Sequence, residues 1–262
     1  MEQILTHINL EIFNYFLLGM TAIAVIVFIA LYFVEAGYGM FVDKKWGITI
    51  NNKIAWTFME MPVFLAMFTL WALSERRFEP VLFTFFVFFQ MHYVRRAFVF
   101  PFMLKGNSKM PLSIMFMGIT FNLCNAIAQG GWIFYFSPDN YYTPDWFTSP
   151  QFIAGTLLFF AGMYINVSSD HIIRSLRQPG DTNHYLPKGG MFNYVSSAHY
   201  FGEMIQWIGF AVLTWSLAGA VFAVWTFANL VPRANAIYHK YEVLFGEEVK
   251  SRKLKRIFPF IY

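Results

Sequence analysis

Glu60 lies in the middle of an apolar run, Trp56-Thr57-Phe58-Met59-Glu60-Met61-Pro62. An ionisable group inside such a run is expensive and by default either pairs or functions. No Lys or Arg stands three or four residues from it, so no local helical pair can explain it. A second polar interruption is Gln90-Met91-His92-Tyr93-Val94-Arg95-Arg96, and a third ends in Ser168-Ser169-Asp170-His171-Ile172-Ile173-Arg174. Asn166, Asp170, Arg174 and Arg177 are spaced 4, 4 and 3 and therefore share one helical face. His199, Glu203 and Gln206 share another, and Arg233 and Tyr241 stand on roughly one side of a further segment. Arginines converging with an Asn, an Asp and several Tyr suit an anionic, hydrogen-bond-rich ligand such as a phosphorylated nucleotide. Glu60 and Tyr93, on runs facing an apolar compartment, suit an apolar substrate with one polar group.

Plainer readings stand beside these. Asp170 and Arg174 have the spacing of an ordinary i,i+4 ion pair. His199 and Glu203 have metal-ligand spacing, but no further His or Cys lies nearby to complete a shell, so no metal is expected. Arg95 and Arg96 could snorkel to an interface, and Tyr93 could be an interfacial aromatic. The basic run Lys250, Arg252, Lys253, Lys255, Arg256 reads as a solvated or lipid-headgroup face.

The elements that must carry these residues follow from composition. Of 262 residues, 57% are hydrophobic and only 13% charged, with 33 Phe, and the mean hydropathy is +0.46. A soluble monomer of this length could not bury so much apolar surface, and disordered chains have the opposite composition. The single Cys124 excludes a disulfide scaffold and a thiolate metal cluster. Seven apolar runs have the length of a membrane span, at 13–34, 54–74, 80–104, 111–136, 151–175, 193–217 and 218–245. Breaks between them carry turn chemistry: Gly37-Tyr38-Gly39, Lys105-Gly106-Asn107, Ser137-Pro138-Asp139-Asn140 and Gln178-Pro179-Gly180-Asp181. The first twelve residues hold Glu2 and Glu11 but no Lys or Arg, so the first run reads as an anchor and not as a signal peptide. No repeat is visible, and the expected fold is an all-α membrane protein. That fold is expected to be a single seven-transmembrane-helix bundle spanning 1–262.

Of the 19 Lys and Arg, only Arg76 and Arg77 fall between the second and third runs; the other 17 lie towards one side. The positive-inside rule then puts the C-terminus in the cytosol and the N-terminus outside. The same distribution explains a net charge of +4 without nucleic acid. No GxGxxG, GxSxG or CxxC occurs, and none of the six His stands in a di-iron histidine box, which excludes those chemistries.

The segments Gly162-Met163-Tyr164-Ile165-Asn166, Ser169-Asp170-His171-Ile172-Ile173-Arg174 and Leu176-Arg177-Gln178-Pro179-Gly180 resemble the steroid 5α-reductase family. So do Pro187-Lys188-Gly189-Gly190-Met191-Phe192, Tyr200-Phe201-Gly202-Glu203 and the ending Ser251-Arg252-Lys253 … Pro259-Phe260. The resemblance runs from about Tyr38 to the C-terminus. It implies a seven-helix bundle enclosing NADPH, with 3-oxo-Δ4-steroids reduced by hydride transfer to C5. Glu60 and Tyr93 match the family's carboxyl and phenol on the substrate's C3 carbonyl. Cofactor contacts carried over by motif are Tyr38, Arg96, Asn166, Asp170, Arg174, Arg177, Tyr185, His199, Glu203, Arg233 and Tyr241. Met59 and His199 depart from the animal enzymes' usual Gln and Asn, and Asn235-Ala236-Ile237-Tyr238 lacks their His cluster. The His199-Tyr200-Phe201 run is closer to the polyprenol-reductase branch. Reduction of a polyprenal or a trans-2-enoyl-CoA is therefore an alternative, and a non-enzymatic seven-helix transporter a more distant one. The expected partners are a lipophilic substrate and membrane lipid, with a monomer in the endoplasmic reticulum or a bacterial cytoplasmic membrane.

Hydride addition to the β-carbon of an enone drives negative charge onto the distant carbonyl oxygen. Two donors aimed at that oxygen stabilise the enolate-like transition state. Tyr donates at any ordinary pH, whereas a buried Glu donates only when protonated. The nicotinamide supplies the difficult chemistry, and the protein supplies position and a dry cavity.

Overall fold

Asn9 starts the first helix, α1 (Leu10–Phe33), by accepting the Ile12 amide at 2.9 Å. The computed structural model describes residues 9–262 apart from 107, 179 and 182. The anticipated turn residues Asn107 and Pro179 lie outside them, as do Glu2 and His7.

After α1 come α2 (Asn52–Leu73) and α3 (Pro80–Val94). A π turn, Arg95–Val99, and a short turn, Phe100–Met103, continue α3. Next are α4 (Leu112–Gly131), continued by a π turn to Phe136, then α5 (Pro150–Ser175), α6 (Ala198–Thr214) and α7 (Leu217–Ser251). Five of these stretches, 10–33, 52–73, 112–136, 150–175 and 217–251, are long and apolar enough to cross a membrane. The α-helical parts of α3 and α6, 15 and 17 residues, are shorter. Leu18, Phe33 and Leu157 are 65%, 83% and 68% exposed, an outward apolar belt that water would not tolerate. α1 buries only the stripe Phe13, Leu17, Met20, Ala24, which packs on the start of α7 and on Ala128 of α4.

The longest contact is α5 against α6. Gly155 and Gly162 face Gly202 and Gly209, two pairs each seven residues apart, so the seam repeats as the helices cross. A Cβ on Gly162 would lie 2.6 Å from the Gly202 carbonyl oxygen, and one on Gly209 would lie 2.8 Å from that of Gly155. Only glycine lets these two backbones touch.

Three expectations change. Two short strands, β1 (Thr49–Asn51) and β2 (Lys109–Pro111), pair antiparallel with Ile50 opposite Met110, just ahead of α2 and α4. They are too short for a period to show in the sequence, yet they tie two helix starts together. The run 193–217 becomes helical only at Ala198, because Gly189 and Gly190 have φ of +93° and +51° and Val195 bridges Lys255 in parallel. The basic tail is not simply a solvated face. Arg252 donates to the Pro187 and Phe192 carbonyls at 3.1 and 2.7 Å, and Arg256 to Asn235 at 2.6 Å. The tail carbonyls of Lys255 and Arg256 accept the Ser196 and Ser197 amides immediately before α6.

Candidate functional site

Amide side chains on α4 hold both groups that the sequence singled out. Asn122, Asn125 and Gln129 lie three and four residues apart, on one face, and all are buried. Asn122 donates to the Glu60 carboxylate at 3.2 Å and to the Met59 carbonyl at 2.8 Å. Asn125, one turn on, donates to the Tyr93 hydroxyl oxygen at 3.1 Å. Gln129 donates to the Asn125 side-chain oxygen at 3.3 Å and to the Ala218 backbone carbonyl of α7 at 2.8 Å. Glu60 and Tyr93, 7% and 3% exposed, thus meet one helix on successive turns in a dry interior.

The base missing from Glu60's own neighbourhood comes from the extension of α3, with Arg96 4.0 Å from the carboxylate. Neighbouring residues on a helix diverge by about 100°, so Arg95 and Arg96 serve different helices. Arg96 lies over the rings of Trp56 and Phe100 at 4.5 and 4.8 Å. Arg95 donates to Asn166 at 2.6 Å and forms a close ion pair with Asp170. Both therefore point inward to partners and do not snorkel. Asp170 takes its partner from α3, so the i,i+4 pair with Arg174 does not form. Asn166 in turn donates to the His199 carbonyl at 2.9 Å, joining α5 to the start of α6.

Tyr200 and Glu203 follow His199 on α6, the His199 and Tyr200 rings packing at 4.1 Å between centres. Arg233 stacks between Tyr38 and Tyr200, 4.1 and 5.2 Å from their ring centres, with no carboxylate within 4 Å among the described residues. Tyr241 is buried with Leu186 and Phe245. Tyr38, Glu60, Tyr93, Arg96, Asn166, Asp170, His199, Glu203, Arg233 and Tyr241 therefore form one connected neighbourhood.

Three expected residues lie at its rim. Arg174 sits beside Met103. Arg177 donates to the Asn183 carbonyl and to His184 Nδ1, each at 3.2 Å. Tyr185 is half-exposed and donates to Asp181 at 2.8 Å. The Asn183 backbone N–H and then the Tyr185 hydroxyl hold the Asp181 carboxyl below its ordinary range. Burial, and then Arg177 beside it, push the His184 imidazole down.

The neighbourhood holds groups that could engage an anionic ligand. His199 Nδ1, Ser197 Oγ and Gln206 Nε2 are buried with no partner among the described residues, and unpaired buried polar atoms are rare in native structures. Arg233, without a carboxylate within 4 Å among the described residues, is a group that could take a phosphate. Among the described residues no group of three or more His, Cys, Asp or Glu could hold a metal. A groove of about 490 Å³ between α6 and α7, lined by Ile208, Val212, Trp215 and Leu217, contains none of these polar groups.

The sequence reading missed Asn122, Asn125 and Gln129, although amides three and four apart inside an apolar run are a legible signal. It left Arg95 as a snorkelling candidate, because the partners at Asn166 and Asp170 are 71 and 75 residues away.

A family model described as 3-oxo-5-alpha-steroid 4-dehydrogenase matches residues 108–262. The steroid 5-alpha-reductase DET2 of Gossypium hirsutum is 36% identical over 255 residues, covering 96% of this chain and 98% of that protein. The 3-oxo-5-alpha-steroid 4-dehydrogenase 1 of Bos taurus is 35% identical over 244 residues, 92% of this chain and 93% of its own. Its Homo sapiens counterpart is 43% identical over 174 residues, 66% and 65% of the two chains.

Proposed function

The chain belongs to the 3-oxo-5-alpha-steroid 4-dehydrogenase family, and from that membership we propose that it reduces the Δ4 double bond of 3-oxo-Δ4-steroids to 5α-steroids with NADPH. The relatives are oxidoreductases by name. The observation that carries the reading here is that Glu60 of α2 and Tyr93 of α3 are held by successive turns of α4, with Arg96 beside Glu60.

When bound, the nicotinamide supplies the hydride that reaches C5 of the steroid. Tyr93 and protonated Glu60 donate to the C3 oxygen, where charge accumulates as C5 is reduced. Low exposure keeps water from competing for those donors. Arg96 and Arg233 hold the phosphate groups, and Tyr38 and Tyr200 offer flat surfaces beside Arg233. Asn166, Asp170, His199 and Glu203 line the same ligand, Tyr241 closes its far side, and Arg174, Arg177 and Tyr185 approach it from the rim. All 262 residues work as one seven-helix membrane domain with the arginine-rich end in the cytosol, α3 and α6 completing the set of spans.

The test is turnover by the purified protein in detergent, with NADPH or NADH and a panel of testosterone, progesterone, a polyprenal and a trans-2-enoyl-CoA. Formation of the 5α-steroid with preference for NADPH is the expected result. Turnover of the polyprenal or enoyl-CoA alone overturns the substrate, and equal use of NADH overturns the cofactor.

A further inference from the structure

The amide ladder on α4 contains information about where protons point. An amide side chain looks alike from either end, so its orientation must be read from partners of known sign. The Ala218 carbonyl is such a partner, because a backbone oxygen can only accept. Gln129 lies 2.8 Å from it and must present its NH₂. That same nitrogen faces Asn125, which must therefore present its oxygen to Gln129, at 3.3 Å. The Asn125 NH₂ is then left for Tyr93, whose oxygen accepts at 3.1 Å. A phenol that accepts on one side has its own proton free for another partner.

We propose that Gln129 and Asn125 are positioning residues that fix the Tyr93 hydroxyl as a donor towards the substrate, with the Ala218 carbonyl as the origin of that direction. Asn122 anchors Glu60 from the same helix. Its NH₂ is fixed by the Met59 carbonyl at 2.8 Å and donates to one carboxyl oxygen at 3.2 Å, while Arg96 stands 4.0 Å from the other. Tyr93 thus takes a hydrogen bond from the protein and keeps its own hydrogen for the ligand. The ladder crosses from α4 to the first residues of α7, so it also fixes the spacing of those helices around the site. The inference rests on the two-donor reading above and adds residues that touch neither substrate nor cofactor.

A double-mutant cycle tests it. Asn125→Leu keeps the side chain's volume and removes the directing NH₂. In the otherwise native protein it should lower single-turnover reduction by about 10- to 100-fold, the range for a misaligned reacting group, with the KM for NADPH changed less than about two-fold. In a Tyr93→Phe background, which itself should lose about 100- to 1,000-fold, Asn125→Leu should cost less than about a further two-fold. Gln129→Met, one link further away, is the second variant if Asn125→Leu fails to fold, and it should show the same dependence on Tyr93. An equal loss in both backgrounds means a structural role and overturns the proposal, as does no loss in the native background. A native rate in Tyr93→Phe alone would instead refute the two-donor mechanism itself, so the two failures are distinguishable.

Discussion

At the scale of single residues, what the site asks of each side chain is a partner of the right sign. Arg95 neutralises Asp170 and steadies Asn166 together, so one guanidinium orients two groups of α5. His184 meets an opposite requirement. It accepts from Arg177 through Nδ1 and must be neutral to do so. Burial and the guanidinium hold its pKa below the ordinary value of about 6.5. Below that ordinary value the unfolded chain binds more protons than the folded loop, so this contribution to stability rises with pH through the window and is lost as pH falls. Lowering the pH from about 7.5 to about 5.5 should therefore loosen the loop carrying Arg177 and raise the KM for NADPH. His184→Gln, which accepts without titrating, should flatten that rise; identical pH profiles for the two proteins would refute it.

Elements matter here through how closely they approach. α5 and α6 bring Asn166 against the His199 carbonyl because glycines stand where a Cβ would strike backbone. Gly162 is one turn from Asn166, and Gly202 adjoins Glu203. Gly162→Ala should destabilise the protein by about 1–3 kcal/mol through overpacking and should raise the KM for NADPH as Asn166 shifts. Gly19→Ala on α1, where a Cβ meets nothing within 4 Å, should stay within about 0.5 kcal/mol. Thermal unfolding in detergent with parallel kinetics checks both. Equal melting temperatures for the two variants would show that the seam is not as tight as its geometry requires.

Across the whole molecule the two ends of the bundle are built differently. At one end Tyr142, Trp146 and Tyr141 donate to the Thr214, Leu213 and Trp215 carbonyls at 2.6, 3.0 and 3.2 Å, satisfying the end of α6. Arg76 joins the same end to Ser137 and Glu79. At the other end the C-terminal tail holds the start of α6 in place through Ser196 and Ser197. Arg252 is the pin of that arrangement, with two backbone carbonyls as acceptors. Arg252→Ala should cost about 1.5–3 kcal/mol, the range for hydrogen bonds from a charged group. It should also raise the KM for NADPH more than that for steroid, because His199 and Glu203 follow the tail. Equal changes in both constants would mean that the tail supports the bundle as a whole and not the start of α6 in particular.

The sequence by itself determined the membrane class, the approximate position of the helices and the residues to watch. Apolar runs, turn residues and the 4, 4, 3 spacing are local properties, readable within a few turns. It could identify Glu60 as anomalous because an acid in an apolar run is anomalous whatever surrounds it. Partners were decided by the tertiary structure. Arg96 reaches Glu60 across 36 residues of chain. Asp170 prefers Arg95 to its neighbour Arg174, and Tyr93 meets Asn125, 32 residues away. Such choices depend on which helix faces press together and how near they come, and a glycine seam or a three-residue strand pair sets that distance without leaving a periodic trace. Local chemistry specified which groups needed satisfying, and packing selected what satisfies them, because hydrogen bonds and close ion pairs act over about 3–4 Å whereas their donors and acceptors lie tens of residues apart.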